Sequence, residues 1–275
     1  MADGMGGGMG GGMAIWFEVA RRGFRRHATY RAATAAGVFT NTVFGFIQAF
    51  VLIGVFRNRA DIGGFDVTDA VTFTFVSQGL LAVVAVFTWN DIALRIRTGD
   101  VVSDLYRPLD FQAYWFAQDV GRALFHALFR GIPPFLLGGL VFALRLSPNP
   151  VHWLVFVVSV VLAATVSFGI RFLVNLTAFW FLDIRGANQI VTVVWGFLSG
   201  LLLPITFFPP GLEAVARASP FAAVVQLPVE LLLGKHHGAG LLLVLATQLA
   251  WAVVLFGAGR MVLAAAVRKV VVQGG

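Results

Sequence analysis

The stretch GDVVSDLYRPLD, residues 99–110, separates two long apolar runs and decides how the rest of the chain is interpreted. It carries three acids and one arginine, with a glycine at its start and a proline near its end. Apolar residues recur within it at helical spacing and predict a short amphipathic helix: Val101, Val102, Leu105 and Tyr106. Between two membrane spans, such a helix lies at the water boundary and offers a partner protein apolar side chains ringed by charge. An ordinary loop is the alternative.

The composition is that of an integral membrane protein. Of 275 residues, 59% are hydrophobic and 12% are charged, whereas a soluble domain carries about 25% charged residues. The chain has no cysteine, which excludes disulfides, thiolate nucleophiles and cysteine-bound metals. The net charge of +7 fits basic residues held on the cytoplasmic side of a membrane, so it is no argument for binding nucleic acid.

The N-terminal region has two parts. Residues 1–13 form a Gly/Met tail that is predicted to be disordered, and residues 14–275 are predicted to form a single transmembrane domain. Residues 14–30 predict an amphipathic helix, with Trp16 on the apolar face and four arginines opposite: Arg21, Arg22, Arg25 and Arg26. Such a helix lies flat in the membrane interface against anionic headgroups. A basic flank that merely orients the first span is the alternative.

Six apolar segments are long enough to cross a bilayer core of about 30 Å. They cover residues 32–56, 70–89, 121–144, 151–181, 190–208 and 240–267. The third contains Pro133 and Pro134, which must kink or break its helix. Most arginines and lysines fall inside if the N-terminus is cytoplasmic, so both termini are expected in the cytoplasm. The predicted fold is an all-α polytopic membrane protein with an interfacial elbow helix and six transmembrane helices.

The region between the fifth and sixth segments is apolar but interrupted by prolines. It is too broken for one span and too apolar for a free loop. Two short helices that dip into the outer leaflet and return, covered by protein, satisfy the backbone there. This re-entrant hairpin is part of the predicted fold, and a plain outer loop is its alternative.

Three ionisable residues fall at possible membrane depth: Arg130, Arg171 and Glu230. Such groups are costly and often functional. Arg171 lies near the end of its segment and is expected to snorkel toward water. Arg130 is expected to pair with an acid rather than to contact a substrate.

The sequence carries none of the common catalytic or metal-binding motifs. It has no HExxH, and a P-loop is excluded because Val229 stands where the first glycine before Gly234 and Lys235 would be needed. His236 and His237 are expected to be solvated rather than bound to a metal. We therefore expect no catalytic residue, metal or cofactor in this chain.

The ordered features resemble the membrane subunit of a type-2 ABC exporter, the ABC-2 permease group. The resemblance rests on an arginine-rich elbow, six spans, and an Arg-x-Gly-Asp…Leu-x-Arg-Pro-Leu stretch after span two, here Arg97 to Asp100 and Leu105 to Leu109. The outer pattern around Leu203–Pro209, with Ser219-Pro220-Phe221 and Pro228 to Gly234, is also similar. The resemblance as a whole covers about residues 16–269.

The resemblance implies a partner and a set of roles. The partner is a separate cytosolic ATPase that holds ATP and Mg, and the exporter contains a second permease, identical or related. The implied ATPase-coupling residues are Gly99, Asp100, Asp104, Leu105, Arg107, Pro108 and Leu109. The implied outer gate and hairpin residues are Phe207, Phe208, Pro209, Pro220 and Phe221.

The expected function is export of a hydrophobic or amphiphilic substrate (drug-like, antibiotic or lipid) across the cytoplasmic membrane by alternating access. Nucleic acid is not an expected partner. Two rivals stay open. A secondary transporter would show internal repeats and mid-membrane acids, and a membrane-embedded lipid-modifying enzyme would need paired catalytic groups at one depth.

Overall fold

The computed structural model describes residues 8–85, 90–181 and 183–273. Over these ranges the chain forms twelve α-helices joined by short turns, and no strand occurs within them. The helices are α1 (Gly8–Ala28), α2 (Arg31–Val55), α3 (Val67–Val84), α4 (Asp91–Thr98), α5 (Val101–Leu105), α6 (Phe111–His126), α7 (Ile132–Val141), α8 (Pro150–Leu176), α9 (Arg185–Leu198), α10 (Pro210–Ala218), α11 (Gln226–Leu232) and α12 (Ala239–Gln273).

Five helical segments in the described ranges are long and apolar enough to cross a membrane. They are Arg31–Asn58, Val67–Val84, Phe111–Val141, Pro150–Phe179 and Ala239–Arg268. Each matches one of the predicted spans in order. The all-α, polytopic membrane fold predicted from the sequence is therefore confirmed.

The fifth predicted span is shorter than expected. Instead of a helix over residues 190–208, the chain forms α9 over 14 residues, which is about 21 Å long and shorter than the bilayer core. The chain leaves the helix at Ser199, and Gly200 takes φ +84°, a conformation that glycine adopts without strain. Pro204 follows and cannot donate a backbone hydrogen bond.

The third span begins earlier and changes its winding where the sequence predicts. Asp110 caps α6 by accepting a hydrogen bond from the Ala113 amide at 2.7 Å, so the segment starts at Phe111 rather than near residue 121. A π-helical turn, Ala127–Gly131, separates α6 from α7. It lies directly before Pro133 and Pro134, which remove two backbone donors.

The predicted N-terminal boundary needs correction, and the end of the second predicted span lies outside the described residues. Helix α1 already begins at Gly8, although residues 8–13 were predicted to be disordered. Extending an existing helix costs less than nucleating one, so the Gly/Met residues continue the helix that forms around Trp16. Residues 1–7 and the end of the second predicted span, 86–89, lie outside the described residues.

The helices α1 and α2 run beside α6 and α7. Phe24 of α1 packs edge-on against Phe125 of α6 with ring centroids 5.4 Å apart, and α2 packs on α7. Both runs are interrupted at the same level, at residues 29–30 in one and at the π-helical turn in the other.

The bundle has two polar ends. At the α4–α5 end, Arg26 pairs with Asp91 at 2.6 Å, and Arg260 pairs with Asp110. These contacts bring the end of α1 and the C-terminal half of α12 to the same end of the bundle. The opposite, α10–α11 end carries the start of α3, where Asp69 pairs with Lys235 at 2.6 Å.

Candidate functional site

The predicted helix in residues 99–110 exists and forms half of a folded unit, which we call the cap (α4, α5 and the two residues after α5, residues 91–107). Gly99 ends α4 with φ +82° and turns the chain directly into α5. Asp104 of α5 then pairs with Arg95 of α4 and with Arg107. These contacts hold the two short helices against each other as a corner.

The side chains of the cap divide into buried and exposed sets. Ile92 and Val101 are buried in a cluster with Phe111 and Trp115 of α6. On the outside, Tyr106 is 86% exposed, and two further apolar side chains, Leu94 and Val102, are also exposed. The cap therefore presents an apolar surface to whatever lies beyond this end of the bundle.

The structure corrects the expectation that Asp104 faces a partner. Its side chain is 2% exposed and is held between Arg95 and Arg107. Leu105 and Leu109 are half-buried, and the other residues assigned to coupling are exposed: Gly99, Asp100, Arg107 and Pro108. Asp104 and Arg107 pair with each other, with 3.1 Å between the charged atoms, and this contact organises the cap internally.

Two contacts fasten the start of the cap to the bundle. The Ala93 amide donates to Asn175 Oδ1 of α8 at 2.9 Å. Asp91 pairs with Arg26 of α1. A displacement of α4 must therefore displace α1 or α8.

Helix α1 has the two faces that the sequence predicts. Its four arginines at positions 21, 22, 25 and 26 are exposed, while Val19 and Gly23 are buried against α6. A Cβ at Gly121 of α6 would overlap the carbonyl oxygen of Ala20, so the two backbones nearly touch. Contact of the arginine face with lipid stays a prediction.

The predictions missed an acid on α1. Glu18 pairs with Arg21 and Arg22, which follow it by three and four residues, the spacings at which side chains are neighbours on a helix. Hydrogen bonds from these two guanidiniums lower the pKa of Glu18 to about 2. The elbow is therefore less basic on its polar face than its four arginines alone suggest.

A buried ion triad lies above the cap. Asp119 of α6 binds Arg122 at 2.6 Å and Arg171 of α8 at 2.7 Å. All three side chains are almost fully buried. Arg171 was expected to snorkel toward water, and this prediction is wrong. A carboxylate on a neighbouring helix stabilises its charge in the buried position.

The triad also closes the end of α3. Arg122 donates to the carbonyl oxygens of Ala82 and Val83 at 2.9 and 2.8 Å. Ser167 of α8 donates to the carbonyl oxygen of Val84. The last carbonyls of a helix have no intrahelical partner, so these contacts satisfy groups that would otherwise be buried without hydrogen bonds.

A cavity of about 630 Å³ opens between α2, α3 and the π-helical turn. Residues from Tyr30 to Gln48 line its length, which corresponds to about 27 Å along α2. Asn41, Gln78 and Gln48 are joined by hydrogen bonds and extend from its middle to the end beside Leu201 and Leu202. Arg122, His126 and Arg130 line the end nearest the cap, and Phe44, Leu201 and Leu202 line apolar stretches.

Arg130 was predicted to pair with an acid, and this prediction is wrong for the part of the chain that the structure describes. No ion pair involves Arg130 there, and its buried Nε has no hydrogen-bond partner. Asp119, the buried acid of α6, is already paired with the two arginines of the triad. The Arg130 guanidinium lies instead against Gly37 of α2, where a Cβ would overlap it.

The proline-rich region at the opposite end folds as two short helices, as predicted. Helix α11 is buried along its whole length and packs on α8 and α3, so protein covers its backbone. Glu230 of α11 accepts hydrogen bonds from Arg217 and Gln226 at 2.8 Å and from His236 at 2.9 Å. Burial alone would raise the pKa of Glu230, but the hydrogen bonds from His236 and Arg217 outweigh it and lower the pKa to about 2.

The aromatic residues assigned to the outer gate line this hairpin. Phe207 packs between Phe56 and Phe65 with ring centroids 5.8 and 6.1 Å away. Phe221 packs against Trp195 of α9 at 6.0 Å. Phe208 and Pro220 are half-buried and Pro209 is exposed. These rings join the hairpin to α9 and to the α2–α3 connection.

Three polar residues that organise the bundle were missed: Asp119, Asn175 and Gln226. Asp119 and Arg122 are three residues apart in the sequence, a spacing that places them together on a helix. That spacing could have revealed the intrahelical half of the triad, although not its contact with Arg171. Gln226 bridges Glu230 and the Ile205 amide, and no local pattern indicates this.

The helices, the cap and the cavity together define a polytopic α-helical membrane protein with a folded polar unit at one end. The sequence model of the family described as "ABC-2 family transporter protein" matches residues 42–274. The chain therefore belongs to the ABC-2 family of transporter proteins and is a membrane permease component of an ABC transporter. Comparison with curated protein sequences finds no match.

Proposed function

We propose that this chain is the transmembrane subunit of an ATP-driven exporter that moves a hydrophobic or amphiphilic substrate out across the cytoplasmic membrane. A separate cytosolic ABC ATPase binds ATP and Mg, and a second permease, identical or related, completes the complex. Both termini and the α4–α5 end face the cytoplasm. The observation that carries the proposal is the cap, an internally paired helical corner with an exposed apolar surface, in a chain of the ABC-2 family.

The cap is suited to receive a partner. Tyr106, Val102 and Leu94 supply the exposed apolar area, and Arg107 and Asp100 lie exposed beside it. Interfaces commonly have an apolar centre with a polar rim, and tyrosine is enriched among their energetically important residues. We therefore assign the direct ATPase contact to Tyr106 and its neighbours, whereas Asp104 keeps the cap in shape.

Movement of the cap has a route to the cavity. Asn175 binds the start of α4 through the Ala93 amide, and it lies one helical turn from Arg171 on α8. Arg171 binds Asp119, which binds Arg122 on the cavity wall. In alternating access, closure of the ATPases moves the cap, and α8 and α6 move with it. Phe207 and Phe221 then act as parts of the outer gate.

The triad also bears on the rival functions. A proton-coupled carrier needs an acid that can take up and release a proton, but Asp119 is held by two guanidiniums. A lipid-modifying enzyme needs paired catalytic groups, and the polar residues of the cavity are mainly amides bonded to each other. These contacts favour a permease over both rivals.

Co-purification with a candidate ABC ATPase, co-expressed with this chain, tests the proposal. Tyr106→Asp should abolish association with the ATPase and its hydrolysis of ATP in the complex, while the permease alone keeps its normal yield. Leu212→Asp is the matched control, because Leu212 is an exposed apolar residue of α10 at the opposite end. Wild-type association of the Tyr106→Asp protein, or ATP hydrolysis by the purified chain alone, would contradict the proposal.

A further inference from the structure

The cavity has an uneven charge. Arg122 and Arg130 line it, and none of the described residues that line it is acidic. Arg122 is compensated by Asp119. The triad of Asp119, Arg122 and Arg171 has one acid for two bases, so it provides no negative charge for Arg130. The end of the cavity nearest the cap is therefore cationic.

Arg130 is placed for contact with something inside this cavity. It lies four residues after His126, so both side chains occupy the same helical face. Both have a buried nitrogen without a hydrogen-bond partner, Arg130 Nε and His126 Nδ1. The π-helical turn Ala127–Gly131 carries Arg130, and such turns are frequent at functional sites.

Gly37 makes room for the guanidinium. A side chain at this position would overlap Arg130, although glycine within a helix is less stable than alanine. A cation at membrane depth without an acid carries a large desolvation cost. The chain thus keeps both an unfavourable helix residue and an uncompensated charge at one point of the cavity.

We infer that Arg130 binds the anionic head group, a phosphate or carboxylate, of the amphiphile that this permease transports. Arginine forms paired hydrogen bonds with both groups. The head lies between Arg130 and His126 and the hydrocarbon chain follows α2 toward Phe44, Leu201 and Leu202. The inference about Arg130 rests on the proposed function. It narrows the substrate class from hydrophobic or amphiphilic molecules to anionic amphiphiles.

Binding of a fluorescent lysophosphatidic acid to the full chain in phosphatidylcholine nanodiscs tests the inference. Arg130→Gln should weaken binding about tenfold or more, as expected when charge-assisted hydrogen bonds are lost. Gly37→Ala should weaken it in the same direction without changing any charge, because it displaces the guanidinium. Arg25→Gln removes an exposed arginine outside the cavity and should bind as the wild type does.

Competition defines the ligand. Oleic acid should displace the probe and monoolein, which is neutral, should not. Inorganic phosphate at the same concentration should fail to displace it because it lacks a chain. Weaker probe binding in phosphatidylglycerol nanodiscs would identify bilayer lipid as the source of the anion, and unchanged binding would identify a single-chain solute.

Thermal stability separates binding from a structural role. Arg130→Gln removes an uncompensated buried charge, so the unliganded variant should be at least as stable as the wild type. A less stable variant, wild-type probe binding by Arg130→Gln, or equal competition by monoolein would each overturn the inference. No ATPase is present in this assay. A negative result for probe binding therefore does not bear on the proposed contact of Tyr106 with the ATPase. If the chain bound anionic amphiphiles selectively but did not associate with the ATPase, the proposed function would be refuted and the binding site for the anion would remain.

Discussion

Arg171 Nη2 on α8 lies 2.7 Å from Asp119 Oδ2 on α6, and the two side chains are only 7% and 3% exposed. Arg122 approaches the other oxygen of the same carboxylate at 2.6 Å. One acid therefore stabilises two buried guanidiniums, and through Arg122 it also stabilises the end of α3.

Asp119→Asn should destabilise the protein by about 3–5 kcal/mol, because it leaves two buried cations without their counter-ion. Thermal unfolding in detergent measures the loss. Glu18→Gln, which breaks exposed pairs with Arg21 and Arg22, should leave the melting temperature unchanged. Equal stability of the Asp119→Asn and wild-type proteins would show that the triad is not needed for folding.

Gly121→Ala should separate α1 from α6, because the added methyl group would overlap the backbone of Ala20. The native chain has no cysteine, so spin labels on Arg25→Cys and Val120→Cys report the distance between the helices. We expect this distance to increase. Gly257→Ala in α12 meets no atom and should leave it unchanged. An unaltered distance in the Gly121→Ala protein would refute the close crossing.

Asp104→Asn should loosen the cap, because it weakens the contacts with Arg95 and Arg107. Hydrogen exchange of the α5 amides should become faster, while exchange in α8 stays slow. Asp100→Asn is the control, since Asp100 is exposed and its carboxylate accepts a local hydrogen bond from Thr98 rather than forming the ion pair with Arg95. If both variants exchange alike, the buried carboxylate does not hold the corner.

Stability of the α10–α11 end should depend on acid pH. The folded-state pKa of Glu230 is about 2 and its ordinary value is 4.5, so its contribution is present above pH 4.5 and is lost as the pH falls toward 2. The contribution is on the order of 3 kcal/mol. Melting temperatures between pH 6 and 3 measure it. Glu230→Gln should lower stability at pH 6 and flatten the decline, and an equally steep decline in the variant would contradict the assignment.

Single cysteines should report opposite sides of the membrane. Ser103→Cys in the cap should react with an impermeant maleimide only after the cells are opened, and Ala214→Cys in α10 should react in intact cells. Both positions are exposed, so accessibility differs only by side. The reverse labelling pattern would overturn the proposed orientation.

The sequence predicts the fold well where the signal is local. Apolar length locates the membrane helices, prolines locate the altered winding before Pro133, and the spacing in residues 99–110 predicts α5. Prediction from the sequence fails where contacts join segments that lie far apart in the chain. The burial of Asp104 depends on Arg95 across a turn, and the position of Arg171 depends on Asp119 of another helix. The length of α9 depends on Gly200 and Pro204. Within an apolar segment these two residues did not exclude a membrane span, but the helix ends before them.

The close crossing of α1 and α6 also dictates an order of assembly. Ala20 and Gly121 are separated by about 100 residues, which takes roughly 5–20 s to synthesise. During that interval the elbow has no α6 to dock on, so Val19 and Gly23 lack the surface that buries them. The first helix to be made is thus seated only after α2 to α5 have been made, and arrival of α6 completes the N-terminal part of the protein.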